Sequence, residues 1–196
     1  MKSNSHIQML WSRCGLIVEL TRRLQGVSPQ FGKTVLQKMV FLLQEVYKAD
    51  VGYSFRFYTY GPFACQLLGD LDIAEHVNAV RVKNVGDGSY GGYAIELGES
   101  ADRIAGKAGD CWKDIQGQLD ALVDVYGGKT AKELEMLTSV VYLNRELWVY
   151  DEWMSKTEAI SKIRELKPKF TETEIRDGMS ELAERHNSLE WRFTEN

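Results

Sequence analysis

The chain has 196 residues, of which 44% are hydrophobic and 27% are charged, and its formal net charge is −4. This composition is typical of a globular protein and excludes a disordered, collagen-like or low-complexity chain. At this length folding buries roughly 70% of the surface of the unfolded chain, so a core forms without disulfide or metal support. The negative net charge counts against a dedicated nucleic-acid-binding protein, although the local distribution of charge decides that point.

Cysteine spacing and hydropathy indicate the compartment. Cys14, Cys65 and Cys111 lie far apart, and an odd number of cysteines without a CxxC motif argues against a disulfide framework or a zinc site. No apolar run approaches the ~20 residues of a membrane span. The N-terminal MKSNSHIQML lacks the layout of a signal peptide. We therefore expect a cytoplasmic protein with no membrane contact, no metal and no cofactor.

The first half of the chain predicts two helices, a strand, a helix and a hairpin, in that order. Apolar residues recur near the helical period of 3.6, whereas the segment from Tyr53 to Tyr58 alternates with period 2. Gly61-Pro62 closes the strand, because proline is tolerated in the first turn of the helix that follows. The predicted ranges are helices at 7–25, 33–48 and 62–78, and a hairpin of 79–85 with 93–97. This order is that of a winged-helix domain with an extra strand, over residues 7–97.

The second half of the chain predicts helices alone, apart from its tail. Three capping boxes, each a hydroxyl residue followed three positions later by glutamate, mark helix starts at Thr130, Ser155 and Thr171. The predicted helices are 101–126, 130–147, 155–166 and 171–186. Leu189, Trp191 and Phe193 alternate, so we expect the tail to dock as a short strand or arm.

Together these patterns predict an α+β, mostly helical fold. A winged-helix-like N-terminal half with a β-hairpin wing precedes a helical C-terminal half, residues 100–193, which packs against it. We expect the two halves to form one compact unit, because no linker-like segment separates them.

The aromatic segment Tyr53 to Tyr60 has two interpretations. In the first, one face of the strand joins the core and a neighbouring helix covers the other. In the second, Arg56, Tyr58 and Tyr60 face outward and form a binding surface, because tyrosine and arginine are favoured anchors of interfaces.

Charge on the third predicted helix argues against ordinary DNA recognition. A winged helix inserts this helix into the major groove, where lysine and arginine contact phosphates. Residues 62–78 hold Asp70, Asp72 and Glu75 and no lysine or arginine, and the wing tip carries Asp87. A DNA-binding protein would have to use basic residues elsewhere in this half, namely Lys33, Lys38, Arg81 and Lys83.

Sequence motifs for catalysis are weak. Gly32-Lys33-Thr34 lacks the preceding glycine and strand of a phosphate-binding loop. The string Gly86-x-Gly88-x-x-Gly91 precedes a predicted strand, whereas a dinucleotide site needs a helix there. An enzyme would therefore need a site assembled from dispersed residues, which we keep as the third functional hypothesis.

Two segments resemble a known family. The run LQKMVFLL at 36–43 and the run FYTYGPF at 57–63, followed by a helix rich in leucine and aspartate, resemble the YwgA-like bacterial and archaeal proteins. They are more distantly similar to the SocA-like Panacea antitoxin domain. The resemblance covers residues 7–97, and the segment Leu166 to Phe170 is also similar. It departs from the YwgA-like pattern at Cys65, where serine is frequent.

The resemblance implies a winged-helix-like fold, no settled activity for the YwgA-like proteins, and neutralisation or delivery of a partner protein for the Panacea domain. Our leading hypothesis is therefore a non-catalytic interaction module, an antitoxin-like adaptor or a regulatory subunit that binds a protein. The alternative is a winged-helix transcription regulator that binds DNA. A homo-oligomer is compatible with both. The residues expected to bind the partner protein are Arg56, Tyr58, Tyr60, Asp70, Asp72 and Glu75.

Overall fold

The computed structural model describes residues 2–86, 92–109, 114–186 and 189–195, and within them the fold is α+β and mostly helical, as predicted. The helices are α1 (Lys2–Leu24), α2 (Lys33–Glu45), α3 (Cys65–His76), α4 (Ala101–Ala108), α5 (Gln116–Tyr126), α6 (Ala131–Val149), α7 (Lys156–Leu166) and α8 (Glu172–Arg185). The strands are β1 (Arg56–Tyr58), β2 (Gly61–Phe63), β3 (Val80–Val85), β4 (Gly92–Leu97), β5 (Met154–Ser155) and β6 (Phe193–Thr194).

Helices α2 and α6 form the centre of the molecule. Residues 35–43 of α2 and 134–141 of α6 are buried without interruption, so these two helices are covered on every side. They pack against each other, while α1 packs on α3 and α4, and α7 and α8 cover α6. The hydrophobic core runs from Cys14 to Leu189 and draws on both halves of the chain. Among the described residues, no helix combines the length and the apolar character needed to cross a membrane.

The strands form three separate two-stranded sheets within the described ranges. β1 and β2 form an antiparallel hairpin in which Tyr58 faces Gly61. β3 and β4 form the predicted second hairpin, with Val80 opposite Leu97. The tip of that hairpin, residues 87–91 with Asp87, lies outside the described residues. The predicted extra strand, β1, thus pairs with β2, the segment that follows it in the chain, and not with the second hairpin.

The predicted start of the third helix is wrong by three residues. Gly61–Phe63 is the strand β2, so Pro62 contributes to a hairpin and α3 begins only at Cys65. Gly61 has φ +88, a conformation that glycine adopts without steric cost and that turns the chain back on itself.

The predicted single helix over 101–126 is also wrong. α4 ends at Ala108, and the following Gly109 has φ +65, which no α-helix contains. α5 begins at Gln116. Apolar residues recur at helical spacing in the sequence of both helices, as at Ile104 and Ala108 of α4 and at Leu119 and Leu122 of α5. Periodicity alone therefore does not detect the interruption.

The three capping boxes and the docked tail are confirmed. At each box the N-cap hydroxyl accepts a bond from the N3 amide, and the glutamate accepts one from the N-cap amide. Phe170 and Ile175, which precede and follow the N-cap of α8 at the positions of a hydrophobic staple, are both buried. Phe193 pairs in parallel with Met154, so the tail completes a small sheet beside the start of α7.

Gly32 provides a test of the contact between α2 and the second hairpin. A Cβ atom there would lie 2.0 Å from the backbone oxygen of Tyr93, whereas a Cβ at Gly69 would meet nothing within 4 Å. The φ of Gly32 is −131, which alanine adopts freely, so only the clash opposes substitution. We expect Gly32→Ala to lower the free energy of unfolding by about 1–3 kcal/mol.

The matched control is Gly69→Ala on the exposed face of α3. Alanine there removes backbone entropy from the unfolded chain and should raise the free energy of unfolding by roughly 0.5–1 kcal/mol. Urea unfolding followed by circular dichroism measures both. Equal stability of Gly32→Ala and the wild type would contradict this packing.

Candidate functional site

Two glutamines of α2 hold the extended segment that contains the first hairpin. The Gln37 side-chain amide donates to the carbonyl of Ala64 at 2.9 Å, and its oxygen accepts from the Ala64 amide at 2.9 Å. Gln44 makes the same reciprocal pair with Tyr53, with both distances 3.0 Å. Because the glutamines are seven residues apart, they lie on one face of the helix. The segment is therefore tied to α2 on both sides of its turn.

Residues 58–61 form the turn between β1 and β2, which we call the aromatic turn. Two buried lysines bond the backbone of this turn and of Pro62, the residue that follows it. Lys38 Nζ donates to the carbonyl of Pro62 at 2.8 Å. Lys167 Nζ donates to the carbonyl of Thr59 and lies 3.3 Å from that of Tyr58. A charged donor strengthens such hydrogen bonds, so the backbone of the aromatic turn is firmly fixed.

One carboxylate balances these ammonium groups. Glu135 of α6 lies 3.0 Å from Lys167 Nζ through Oε1 and 2.7 Å from Lys169 Nζ through Oε2. A Cβ atom on Gly61 would meet both Lys38 and Glu135 within 4 Å, which shows that these groups converge beneath the turn. We call Lys38, Glu135, Lys167 and Lys169 the lysine cluster. With three lysines to one carboxylate, its formal balance is positive.

Burial within this cluster lowers the pKa of Lys38 to about 7. Desolvation is the main cause, Glu135 opposes the shift, and the like charges of Lys167 and Lys169 add to it. Lys38 therefore exchanges between ammonium and neutral amine close to neutral pH. A strongly shifted amine beside a cavity is a feature of functional sites.

A cavity of about 210 Å³ opens beside the aromatic turn. Tyr58 and Tyr60 border it and are 67% and 63% exposed. Lys33, at the start of α2, also borders it, and its ammonium stands 4.4 Å from the ring centre of Tyr93. The remaining lining residues are Thr34, Gln37, Lys38, Gly61, Phe63 and Leu68.

A larger groove of about 560 Å³ lies on the other side of the hairpin, between α6 and α7. Phe57 of β1 forms one wall, and its ring lies 5.0 Å from that of Tyr142. Tyr150 and Leu166 border the groove and are exposed. Phe57 lines the groove and Tyr58 lines the cavity, so the first hairpin separates the two depressions.

The structure brings together four of the residues that the sequence singled out. Tyr58, Tyr60, Lys33 and Lys38 border the 210 Å³ cavity, although the sequence assigned the tyrosines to a protein partner and the lysines to DNA. Arg56, Tyr58 and Tyr60 face solvent, as the second interpretation of the aromatic segment requires. Their binding role stays a prediction.

The expectation that Asp70 meets a partner is wrong, because α3 turns this residue into the core. Its carboxylate accepts a hydrogen bond from the Tyr53 hydroxyl at 3.0 Å and lies 3.9 Å from the Arg13 guanidinium. Burial raises the pKa of Asp70, and both neighbours oppose the rise. Asp72 and Glu75 are exposed on α3, but Glu75 accepts a bond from the Val82 amide at 3.0 Å.

The expected DNA contacts do not form a free basic surface. Lys38 is only 2% exposed and lies under the aromatic turn, so the expectation that it contacts the phosphate backbone of a DNA duplex at the protein surface is wrong. Arg81 pairs with Glu99 at 2.7 Å, and Lys83 pairs with Glu96 at 2.6 Å. These pairs neutralise the exposed cations of the second hairpin.

The sequence patterns did not predict the residues that build this site. Glu135, Lys167 and Lys169 come from the second half of the chain, whereas the aromatic turn belongs to the first. The signal in the sequence is the placement of Gln37 and Lys38 inside an apolar run, since buried polar groups need partners. That signal shows that partners exist and leaves their identity open.

No protein-family model and no curated protein matches the chain. Among the described residues, no group of three or more histidine, cysteine, aspartate or glutamate side chains is arranged to hold a metal ion.

Because Glu135 belongs to a buried ion pair, we expect neutralising its charge to lower the free energy of unfolding strongly. Glu135 and Lys167 are 3% and 4% exposed, so Glu135→Gln leaves Lys167 charged in a site without its counterion. We expect the free energy of unfolding to fall by about 3–5 kcal/mol. The same substitution in the exposed pair of Arg81, Glu99→Gln, should change it by less than about 1 kcal/mol.

Urea unfolding measures both variants and the double variant Glu135→Gln with Lys167→Met. Removing both charges should recover part of the loss, because the buried ammonium of Lys167 is no longer present without its counterion, whereas the exposed ammonium of Lys169 stays hydrated. A double variant no more stable than Glu135→Gln would show that the ion pair is not the cause.

The lowered pKa of Lys38 predicts that the free energy of unfolding depends on pH. Its pKa is about 7 in the folded chain and near 10.5 in the unfolded chain, so the unfolded state binds more protons between these values. The free energy of unfolding therefore gains a contribution that grows as pH rises above about 7. In urea unfolding at neutral and alkaline pH, the wild type should gain more than Lys38→Met. Parallel pH profiles would mean that Lys38 titrates normally.

Proposed function

We propose that this protein is a non-catalytic interaction module that binds a partner protein through the aromatic turn. The observation that carries the proposal is the pair of exposed tyrosines, Tyr58 and Tyr60, on a backbone fixed by buried charges. Tyrosine is enriched among the residues that dominate binding energy at interfaces. Each ring has a neighbour within the fold, Tyr58 the Phe63 ring at 5.8 Å and Tyr60 the Lys169 Nζ at 5.8 Å, and most of its surface faces solvent.

The rigidity of the turn supports this assignment. Two buried lysines fix the backbone before any partner binds. Lys38 donates to the carbonyl of Pro62, and Lys167 donates to that of Thr59 and lies 3.3 Å from that of Tyr58. A surface that is ordered in advance loses little conformational entropy on binding. The tyrosine side chains are therefore presented at low cost.

The family resemblance supports an antitoxin-like adaptor or a regulatory subunit. Its two segments, 36–43 and 57–63, contact each other through Lys38 and Pro62, so they form one structural unit. The order α2, first hairpin, α3 and second hairpin is compatible with a winged-helix-like N-terminal half. In this proposal the scaffold presents the turn to a protein.

The observations favour this proposal over DNA binding. α3 presents Asp72 and Glu75 to solvent, and carboxylates repel the phosphate backbone. The exposed cations of the second hairpin, Arg81 and Lys83, already carry acidic partners.

The double variant Tyr58→Ser with Tyr60→Ser tests the proposal. The control, Tyr150→Ser with Trp153→Ser, removes aromatic side chains of matched exposure, 67% and 62%, from another surface. Tagged chains capture proteins from the native host, and quantitative mass spectrometry compares them. We expect at least one protein to be retained by the wild type and the control and reduced about tenfold or more by the turn variant.

Loss of capture in both double variants would indicate a general effect of surface aromatics and contradict the assignment to the turn. A protein set that is unchanged by the turn variant would also contradict it. Thermal unfolding of each chain verifies that the substitutions leave the fold intact.

A further inference from the structure

The charge around the cavity beside the aromatic turn is opposite to that of the whole chain. The chain carries −4, yet Lys33 and Lys38 border the cavity, and Arg56 lies on the adjoining strand. Within the lysine cluster Glu135 is engaged by Lys167 and Lys169. Among the described residues that line the cavity there is no carboxylate. A ligand of negative charge complements this site.

The cavity also supplies uncharged donors. Neither the Tyr58 nor the Tyr60 hydroxyl has a hydrogen-bond partner within the described part of the chain. Thr34 adds a third hydroxyl at the rim. Residues with hydroxyl and ammonium groups thus line one cavity, and this composition fits a ligand with several acceptor oxygens.

The size of the cavity limits the ligand. Its volume of about 210 Å³ lies below the ~300–1,000 Å³ of typical small-molecule sites. Phe63 and Leu68 make part of the lining apolar. This combination fits one amino-acid side chain with a carboxylate at its end better than a nucleotide.

We propose that the cavity receives an aspartate or glutamate side chain of the partner protein, with Lys33 and Lys38 opposing its charge and the turn tyrosines packing on its flanks. This inference rests on the proposed function and specifies its chemistry. A polyanion fits the site less well. Leu68 in the cavity lining lies one helical turn before Asp72 on α3, and this exposed carboxylate repels the additional charges of a polyanion that extends beyond the cavity.

Protonation of Lys38 links the proposed binding to pH. The groups that face Lys38 are Glu135 on α6, Lys167 and Lys169 in the connection between α7 and α8, and the Pro62 carbonyl on β2. Since the pKa of Lys38 is about 7, its ammonium form gains population below neutral pH. Binding of a carboxylate should therefore strengthen as the pH falls from mildly alkaline to mildly acidic.

The test uses two amino-acid probes, N-acetylglutamate amide and N-acetylglutamine amide. Both have blocked, uncharged termini, so they differ only in the side chain, which is charged in the glutamate probe alone. Each is titrated into the ¹⁵N-labelled chain while backbone amide shifts are recorded by NMR. The glutamate probe should give saturable shifts at Thr34, Tyr60 and Gly61. The glutamine probe should bind about tenfold more weakly or not at all, because it lacks the charge.

Charge reversal at the cavity provides the variant. Lys33→Glu should abolish the shifts, whereas the identical substitution at exposed Lys162 on α7, which makes no ion pair within the described residues, should leave them unchanged. Lys38→Met should weaken the glutamate probe and remove the pH dependence of its binding. If Lys38→Met fails to fold, Lys33→Glu still decides the test.

Equal binding of the two probes, or no saturation with either, would overturn the carboxylate site. Tighter binding of inorganic phosphate or of a short DNA duplex at the same residues would overturn it in favour of a phosphate ligand. Partner capture that still depends on Tyr58 and Tyr60 would then leave the proposed function intact, so the two failures are distinguishable.

Discussion

The ion pair between Glu135 and Lys167 is the interaction on which the site depends. A buried charge is costly unless a counterion and hydrogen bonds satisfy it. Here Glu135 belongs to α6, Lys167 follows α7, and the carbonyl that completes the coordination of Lys167 belongs to the aromatic turn. All three elements must therefore be in place before any of these groups is satisfied. This requirement couples the first hairpin to the helical second half.

Bonds to neighbouring helices also explain why a hairpin as short as the first one is ordered. Two paired strands of three residues are marginal by themselves, since an isolated hairpin buries little surface. Gln37, Gln44 and Lys38 on α2 replace the missing neighbouring strands by bonding the backbone of the segment directly. The result is an ordered turn whose aromatic side chains are free to contact another molecule.

The site was predictable only in part. Alternation along the aromatic segment left two interpretations open, and the structure decides between them by exposing Arg56, Tyr58 and Tyr60 to solvent. The acidic residues of the third helix do not form one surface, because a helix divides consecutive residues among its faces. Asp70 shares the inner face with Leu67 and Ala74, and Asp72 does not. Counting charges along a helix therefore does not give the charge of its exposed side.

Local signals in the sequence determined the last three helices, α6, α7 and α8, and their starts, because a capping box acts within four residues and needs no distant partner. They also determined the mostly helical class and the second hairpin. Only the tertiary structure decided that Gly61–Phe63 forms a strand and that Glu135 meets the lysines. Such contacts join residues remote in the chain, and their energy comes from burial and charge pairing that no local pattern encodes.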